Sequence, residues 1–175
     1  ETLLHELRIT DVRYVACTGN DSYHPGRCAK VYAGETYLGV FGQIHPLVAA
    51  NYGVDAEIYA AELSFDAMYE KRGGIPVYQP LPKFPAVTRD IAVVCSEDVT
   101  VGALEESIRR GAKGLLKDVT LFDIYRGPGI AEGKKSVAFS LVLRADDRSL
   151  TGEEADADVQ SILAALESEC GAVLR

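Results

Sequence analysis

The chain lacks any apolar run close to the roughly 20 residues that a membrane-spanning helix requires. It also lacks the pattern of a secretory signal peptide. We therefore expect no membrane partner. The first residue is Glu1, inside a run that already has a helical pattern, so we interpret the sequence as a piece of a longer protein.

Cysteine is scarce, and none of the four cysteines forms a CxxC pair. Cys95 ends an apolar strand and Cys170 ends an apolar helical stripe, which are usual places for a buried thiol. Cys17, His24 and Cys28 lack a fourth ligand at zinc spacing. We therefore predict no metal site in this chain, and reduced thiols in a cytoplasmic location.

The chain has fewer positive than negative side chains. It contains 18 lysines and arginines and 26 aspartates and glutamates, which gives a net charge of −8. A protein that holds nucleic acid through its overall field is basic. Any contact with nucleic acid must therefore come from a local patch, and we expect no DNA partner.

The composition changes once, over residues 71–85, where prolines and glycines cluster. Proline removes a backbone donor and forces the preceding residue toward an extended conformation. We predict a linker at 71–85 between two units, residues 1–70 and residues 86–175. The first unit has the pattern of an antiparallel sheet with small helices, including a turn at Pro25–Gly26.

The second unit follows the order strand, helix, two strands, helix, strand. Its helices begin at Thr100 and at Thr151, where Thr151 and Glu154 have capping-box spacing, and the second ends at Gly171. The order βαββαβ predicts an α+β, ferredoxin-like fold that leaves one sheet face free of helices.

The segment from Leu121 to Ser136 is the most informative part of the chain. Alternation along the first strand predicts that Phe122 and Ile124 face the core, and that Asp123, Tyr125 and Leu121 face the other way. On the returning strand the bulky residues 137, 139, 141 and 143 are predicted to face the helices, and the small residues 136, 138 and 140 the free face.

A carboxylate and an aromatic ring on one face can hold an unstacked RNA base. Asp123 can accept from the N1–H and N2–H₂ edge of guanine, and stacking on Tyr125 is worth roughly 1–3 kcal/mol. The competing interpretation is a half-exposed sheet edge with solvated charges. We predict that weaker phosphate contacts come from five cations, namely Arg89, Arg126, Lys134, Lys135 and Arg144. Of these, Lys135 and Arg144 are expected to border the free face, as Asp123 and Tyr125 do.

His24, Arg27 and His45 in the first unit could suggest acid–base or phosphate chemistry. No nucleophile, carboxylate dyad or P-loop accompanies them. We therefore predict no catalytic residues in this chain.

The second unit contains five spaced motifs, namely FPAVTRDIAVV at 84–94, LFDIYRG at 121–127, GKKSVAF at 133–139, SLT at 149–151 and GAVLR at 171–175. Together these motifs resemble a known family, the ferredoxin-fold anticodon-binding domain that closes the beta chain of bacterial phenylalanyl-tRNA synthetase. Residues 24–46 resemble the end of the class II synthetase-like module of the same beta chain, with Cys28 where Ser is common and Gln43 where Glu is common.

The resemblance implies that Asp123, Tyr125 and Ser136 contact the wobble guanine of the tRNA(Phe) anticodon. It also implies that the first unit is part of a non-catalytic module. The alpha chain of an (αβ)₂ tetramer would then bind ATP, Mg²⁺ and phenylalanine, and this chain would bind no cofactor.

An alternative from a different class is a ferredoxin-like protein-interaction or small-ligand regulatory module. A glycine-rich ligand loop after the first strand of the second unit would favour it. Residues 96–100, SEDVT, contain no glycine, which counts against this alternative.

Overall fold

A computed structural model describes residues 1–78 and 80–175. The chain divides into two compact units, residues 1–79 and 80–175. The division falls inside the segment 71–85 that the sequence predicts as a linker. In the described part of the chain, no helix is long and apolar enough to cross a membrane.

The first unit is one antiparallel sheet with three short helices. Its elements are α1 (Thr2–Glu6), β1 (Val12–Ala16), β2 (Tyr23–Ala33), β3 (Thr36–Ile44), α2 (Pro46–Asn51), β4 (Tyr59–Leu63) and α3 (Phe65–Lys71). The strands lie in the order β1-β2-β3-β4, and every neighbouring pair is antiparallel.

The turn predicted at Pro25–Gly26 is wrong, because β2 runs through both residues. The register between β2 and β3 is interrupted from Tyr23 to Cys28. An irregularity of this kind is where a strand tolerates proline, since the missing amide hydrogen would otherwise break the ladder.

The second unit has the predicted βαββαβ order, and the α+β, ferredoxin-like fold is confirmed. Its elements are β5 (Val87–Ser96), α4 (Val101–Gly111), β6 (Leu116–Tyr125), β7 (Lys134–Leu143), α5 (Gly152–Cys170) and β8 (Val173–Leu174). The strands lie in the order β6-β7-β5-β8.

The residues predicted to cap the two helices of the second unit do so in the structure. The Thr100 hydroxyl accepts from the Ala103 amide at 3.2 Å. Thr151 and Glu154 form the complete reciprocal capping box. Gly171 ends α5 with φ 58°, a left-handed conformation that glycine adopts without steric cost.

The core of the second unit lies between the sheet and the two helices. Fully buried residues of α4 and α5 pack against the alternate residues of β5 and β7 that the sequence assigns to the core. They are Leu104, Ile108, Ile162, Leu166, Ile91, Val93, Val137, Phe139 and Leu141. We call the opposite side of this sheet, which no helix of the unit covers, the open face.

Strand β6 departs from simple alternation at Phe122. Leu121 pairs with Phe139, and the next paired residue is Asp123, opposite Ala138, so Phe122 is an extra residue in a β-bulge. Leu121 and Ile124 both pack on the core, whereas Phe122 is 58% exposed. The predictions that Leu121 faces away from the core and that Phe122 faces it are therefore wrong.

Candidate nucleic-acid interface

Asp123 and Tyr125 both lie on the open face, next to β7. Tyr125 is directly opposite Ser136, and Asp123 is directly opposite Ala138. Directly opposed residues of an antiparallel pair share a face, with Cβ atoms about 4.5–5.5 Å apart. The sheet therefore brings Asp123, Tyr125 and Ser136 together, as the alternation predicts.

The Tyr125 ring lies along the turn that joins β6 to β7. Its hydroxyl donates to the Pro128 carbonyl at 3.2 Å. A Cβ at position 127 would lie 2.6 Å from the Tyr125 hydroxyl oxygen, so only glycine lets the ring approach the turn this closely. The turn thus orients the ring.

Arg175 is a further residue of this face, which the prediction missed. Its amide donates to the Ala92 carbonyl at 2.9 Å, which extends the pairing of β8 with β5. Its Cζ lies 5.4 Å from the Tyr125 ring centroid, within cation–π range. Arg175 is part of the GAVLR motif, which was a possible signal. However, the strand with which a two-residue strand pairs cannot be predicted from the sequence.

The floor between Asp123 and Arg175 is made of small side chains. Ala138 pairs with both Asp123 and Ala92, and the Arg175 amide bonds to Ala92. These residues form one row across the four strands, with a carboxylate and a guanidinium at its two ends. Ser136 lies in the adjacent row and is only 3% exposed.

Lys135 does not lie where it was expected. Alternation from Val137 places its side chain on the helix side of the sheet. The side chain is 6% exposed, and its ammonium donates to the Glu97 carbonyl at 2.9 Å. The expectation that Lys135 borders the open face is wrong.

Arg126 is tied to the same loop as Lys135. Its Nε and Nη2 atoms lie 2.8 and 2.6 Å from Glu97 Oε1. These hydrogen bonds hold the pKa of Glu97 below its ordinary value, although partial burial opposes the shift. Much of the Arg126 charge is therefore already compensated, while about half of its side chain remains exposed.

Arg89 and Arg144 lie away from the Tyr125 end of the open face. Arg89 shares its side of β5 with Ile91, and its Nε lies 2.9 Å from Asp156 Oδ1 of α5. Arg144 follows β7 at the end of the strand away from Ser136. Eight extended residues separate the two positions, which is a distance of about 26 Å. Neither lies next to Tyr125 and Ser136.

Asp123 and Lys134 are both exposed, and the side chain of neither has a hydrogen-bond or ion-pair partner in the described part of the chain. The interface thus presents a free carboxylate, an oriented ring, a buried hydroxyl and a free ammonium, with Arg175 over the ring. This combination can bind a base by its edge and its face.

The polar residues of the first unit that could suggest chemistry form hydrogen bonds with other groups of the same unit. Arg27 donates to Gln43 at 2.8 Å and to Glu57 at 3.3 Å. His24 and His45 each use Nδ1 to accept from a backbone amide two residues ahead. Among the described residues, no group of three or more His, Cys, Asp or Glu could hold a metal ion.

Two family models match the chain. Residues 82–175 match the ferredoxin-fold anticodon binding domain. Residues 1–65 match the phenylalanyl tRNA synthetase beta chain CLM domain.

Curated relatives agree with both matches. Phenylalanine–tRNA ligase beta subunits of Clostridium tetani and Symbiobacterium thermophilum are 41% and 42% identical over all 175 residues, which cover 22% and 19% of those proteins. The beta subunit of Geobacillus kaustophilus is 44% identical over 87% of this chain and 19% of its own length. The chain spans about a fifth of the length of these relatives.

Proposed function

We propose a function from the premise that this chain belongs to the ferredoxin-fold anticodon binding domain family, in the form found in phenylalanyl-tRNA synthetase beta chains. The chain serves to recognise the anticodon of tRNA(Phe) for a phenylalanine–tRNA ligase. The observation that carries this proposal is the placement of Asp123, Tyr125 and Ser136 together on the open face. The alternative of a regulatory module is not favoured.

The base is held through one edge and one face. The Asp123 carboxylate accepts from the N–H groups of guanine, which adenine does not offer in the same arrangement. The Tyr125 ring stacks on the base, a contact worth roughly 1–3 kcal/mol. Because Ser136 is buried, its hydroxyl contacts the base only after neighbouring side chains have moved.

Arg175 joins this site as a cation beside the ring. Its guanidinium lies over one face of Tyr125. When a base stacks on that face, the guanidinium either stacks on the far side of the base or turns to a phosphate.

Among the five predicted phosphate contacts, Lys134 fits best because its ammonium is exposed and unpaired in the described part of the chain. Arg126 can bind a phosphate once its ion pair with Glu97 is broken. Arg144 is suited to a phosphate farther along the strand. Arg89 and Lys135 are less suited, because Asp156 and the Glu97 carbonyl already bind them.

The bond-making chemistry belongs to other parts of the ligase. We assign the binding of ATP, Mg²⁺ and phenylalanine to an alpha chain that assembles with the beta chain as an (αβ)₂ tetramer in the cytoplasm. In this chain His24, Arg27 and His45 bind only backbone groups and neighbouring side chains, which suits a structural role.

Alanine substitution in the assembled ligase tests the proposal. We expect Tyr125→Ala and Asp123→Ala each to lower kcat/KM for tRNA(Phe) by about 10-fold or more, while the KM for phenylalanine is unchanged. One lost stack or charged hydrogen bond of about 1.4 kcal/mol gives this factor. Arg175→Gln should lower kcat/KM for tRNA in the same direction.

Asp90→Asn provides the matched control, because Asp90 is an exposed carboxylate on the same open face, opposite Ser140. This variant should keep the original kcat/KM. Normal charging of tRNA by both the Tyr125 and the Asp123 variants would refute the proposal.

A further inference from the structure

Two cysteines of the first unit lie side by side on neighbouring strands. The antiparallel register of β1 and β2 pairs Ala16 with Ala29, and its continuation places Cys17 opposite Cys28. The Cys17 amide donates to the Cys28 carbonyl at 2.9 Å, which shows that the pairing does continue. Directly opposed residues joined in this way have Cα atoms about 5.5 Å apart.

That separation suits a disulfide, whose Cα atoms are usually 4.4–6.8 Å apart. Both thiols are free in the structure. Burial, and then the neighbouring Cys17 thiol, raise the pKa of Cys28, so the two sulfurs are close enough to interact.

The two thiols differ in their access to solvent. Cys17 lines an open cleft of about 480 Å³, together with residues 18–21, Lys30 and Tyr37. Cys28 does not line this cleft. It lies on the strand between the two neighbouring strands, with Cys17 opposite it on one side and Gly42 opposite it on the other. A Cβ at position 42 would lie 3.0 Å from the Cys28 Cβ. A small oxidant in the cleft therefore meets Cys17 first.

We propose that Cys17 and Cys28 form a dithiol site that peroxide-type oxidants convert into a disulfide between β1 and β2. Hydrogen peroxide takes two electrons from the Cys17 sulfur, which becomes a sulfenic acid, and one water leaves. The Cys28 sulfur then attacks the Cys17 sulfur, the S–O bond breaks and a second water leaves. One peroxide and two thiols thus give one disulfide and two waters.

Transient, redox-sensing disulfides are the kind that occur in reducing compartments. The bond would join the edge strand β1 covalently to β2, to which it is otherwise held by the ladder of Val12–Ala16. The site lies in the first unit, so it is independent of the open face and of the proposed function.

The test uses the full chain with hydrogen peroxide as the probe. Trypsin cleaves after Arg13, Arg27 and Lys30, so the expected product links peptide 14–27 to peptide 28–30. Dithiothreitol should separate the two peptides again. Hydrogen exchange at the β1 amides should be slower in the oxidised chain than in the reduced chain.

Cys28→Ser is the matched variant, because it keeps size and leaves Cys17 in place. It should form no linked peptide, and its Cys17 sulfenic acid should be trapped by dimedone. Cys95 and Cys170 serve as an internal comparison, since Cys95 is buried and the Cys170 thiol donates to the Ala103 carbonyl. Consumption of Cys17 without the 14–27/28–30 link in the original chain would overturn the proposal, and so would persistence of both thiols under excess peroxide.

Discussion

Lys134 and Lys135 show how two adjacent residues of the same type take opposite roles. Alternation along β7 sends one ammonium to solvent and the other to the helix side of the sheet. The buried ammonium of Lys135 bonds the Glu97 carbonyl, and Glu97 in turn binds Arg126 beside Tyr125. Lys135 therefore supports the loop next to the candidate site.

Substitution separates these two roles. Lys135→Met should lower the free energy of unfolding by about 1–3 kcal/mol, because the hydrogen bond from the buried Lys135 ammonium to the Glu97 carbonyl is lost. Lys134→Met should leave the stability within about 0.5 kcal/mol and weaken tRNA binding instead. Urea unfolding and a tRNA titration of both variants check this. Equal stability of the two variants would contradict the assignment.

At the scale of single residues, the sequence predicts well where alternation is regular. Asp123, Tyr125 and the core residues of β5 and β7 follow from the pleat alone. Alternation from Val137 also places Lys135 on the helix side. Arg175 was not predictable, because its position depends on a pairing between β8 and β5 that is distant in sequence.

At the scale of the strand, the bulge in β6 decides which side chains stabilise the core. Phe122→Ala should change the free energy of unfolding by no more than about 0.5 kcal/mol, since the ring is largely exposed. Ile124→Ala should cost about 2 kcal/mol, because that side chain packs on the core. Chemical denaturation of both variants measures the difference. A larger loss for Phe122→Ala would show that simple alternation is right.

The capping box of α5 makes the second unit sensitive to acid. Hydrogen bonds from the Thr151 amide, and then from Arg148, lower the pKa of Glu154 from 4.5 to about 2. A carboxyl with a lowered pKa stabilises the fold above its unfolded pKa, so this contribution is complete above pH 4.5 and is lost as pH falls toward about 2.

Glu154→Gln should therefore flatten the dependence of stability on pH in that interval. Thermal unfolding at pH 7 and at pH 3 should show a smaller difference for the variant than for the original chain. Glu153→Gln, one residue earlier on the same helix turn, is the control and should keep the original difference. An unchanged difference in the Glu154 variant would argue against the capping role.

Helix ends are the elements that local sequence predicts best, because a cap depends on residues three positions apart. Thr100, Thr151 and Gly171 all have the predicted roles. Bulges are predicted least well, since nothing in LFDIY identifies the extra residue. The continuation of β2 through Pro25 was missed for the same reason: it depends on the register with β3.

At the scale of the whole molecule, the net charge of −8 opposes binding to a polyanion. Two of the cations near Tyr125 do little to reverse this, because Arg126 is paired with Glu97 and Lys135 is buried, which leaves Lys134 and Arg175. Under the proposed function, affinity for tRNA must then come from a few local contacts, together with the rest of the ligase.

The isolated chain should bind tRNA(Phe) weakly, with a Kd in the range of about 10⁻⁴–10⁻⁶ M. With about two or three phosphates contacted, the slope of log K against log salt should be about −2. Titration at several salt concentrations gives both values. Tight binding that does not depend on salt would be inconsistent with the charge of the molecule.

The bulge at Phe122 has a consequence for how this strand can change over generations. The extra residue shifts the alternation of inward and outward side chains in β6 by one position. The alternation before Phe122 and the alternation after it are therefore set separately. Loss of that single residue would remove the bulge at this point and leave Leu121, Asp123 and Tyr125 on their present sides. We therefore expect β6 to tolerate an in-frame deletion of one codon here, although such a deletion inverts the faces of an ordinary strand, and we expect the end that carries Asp123 and Tyr125 to diversify without any change in the core end.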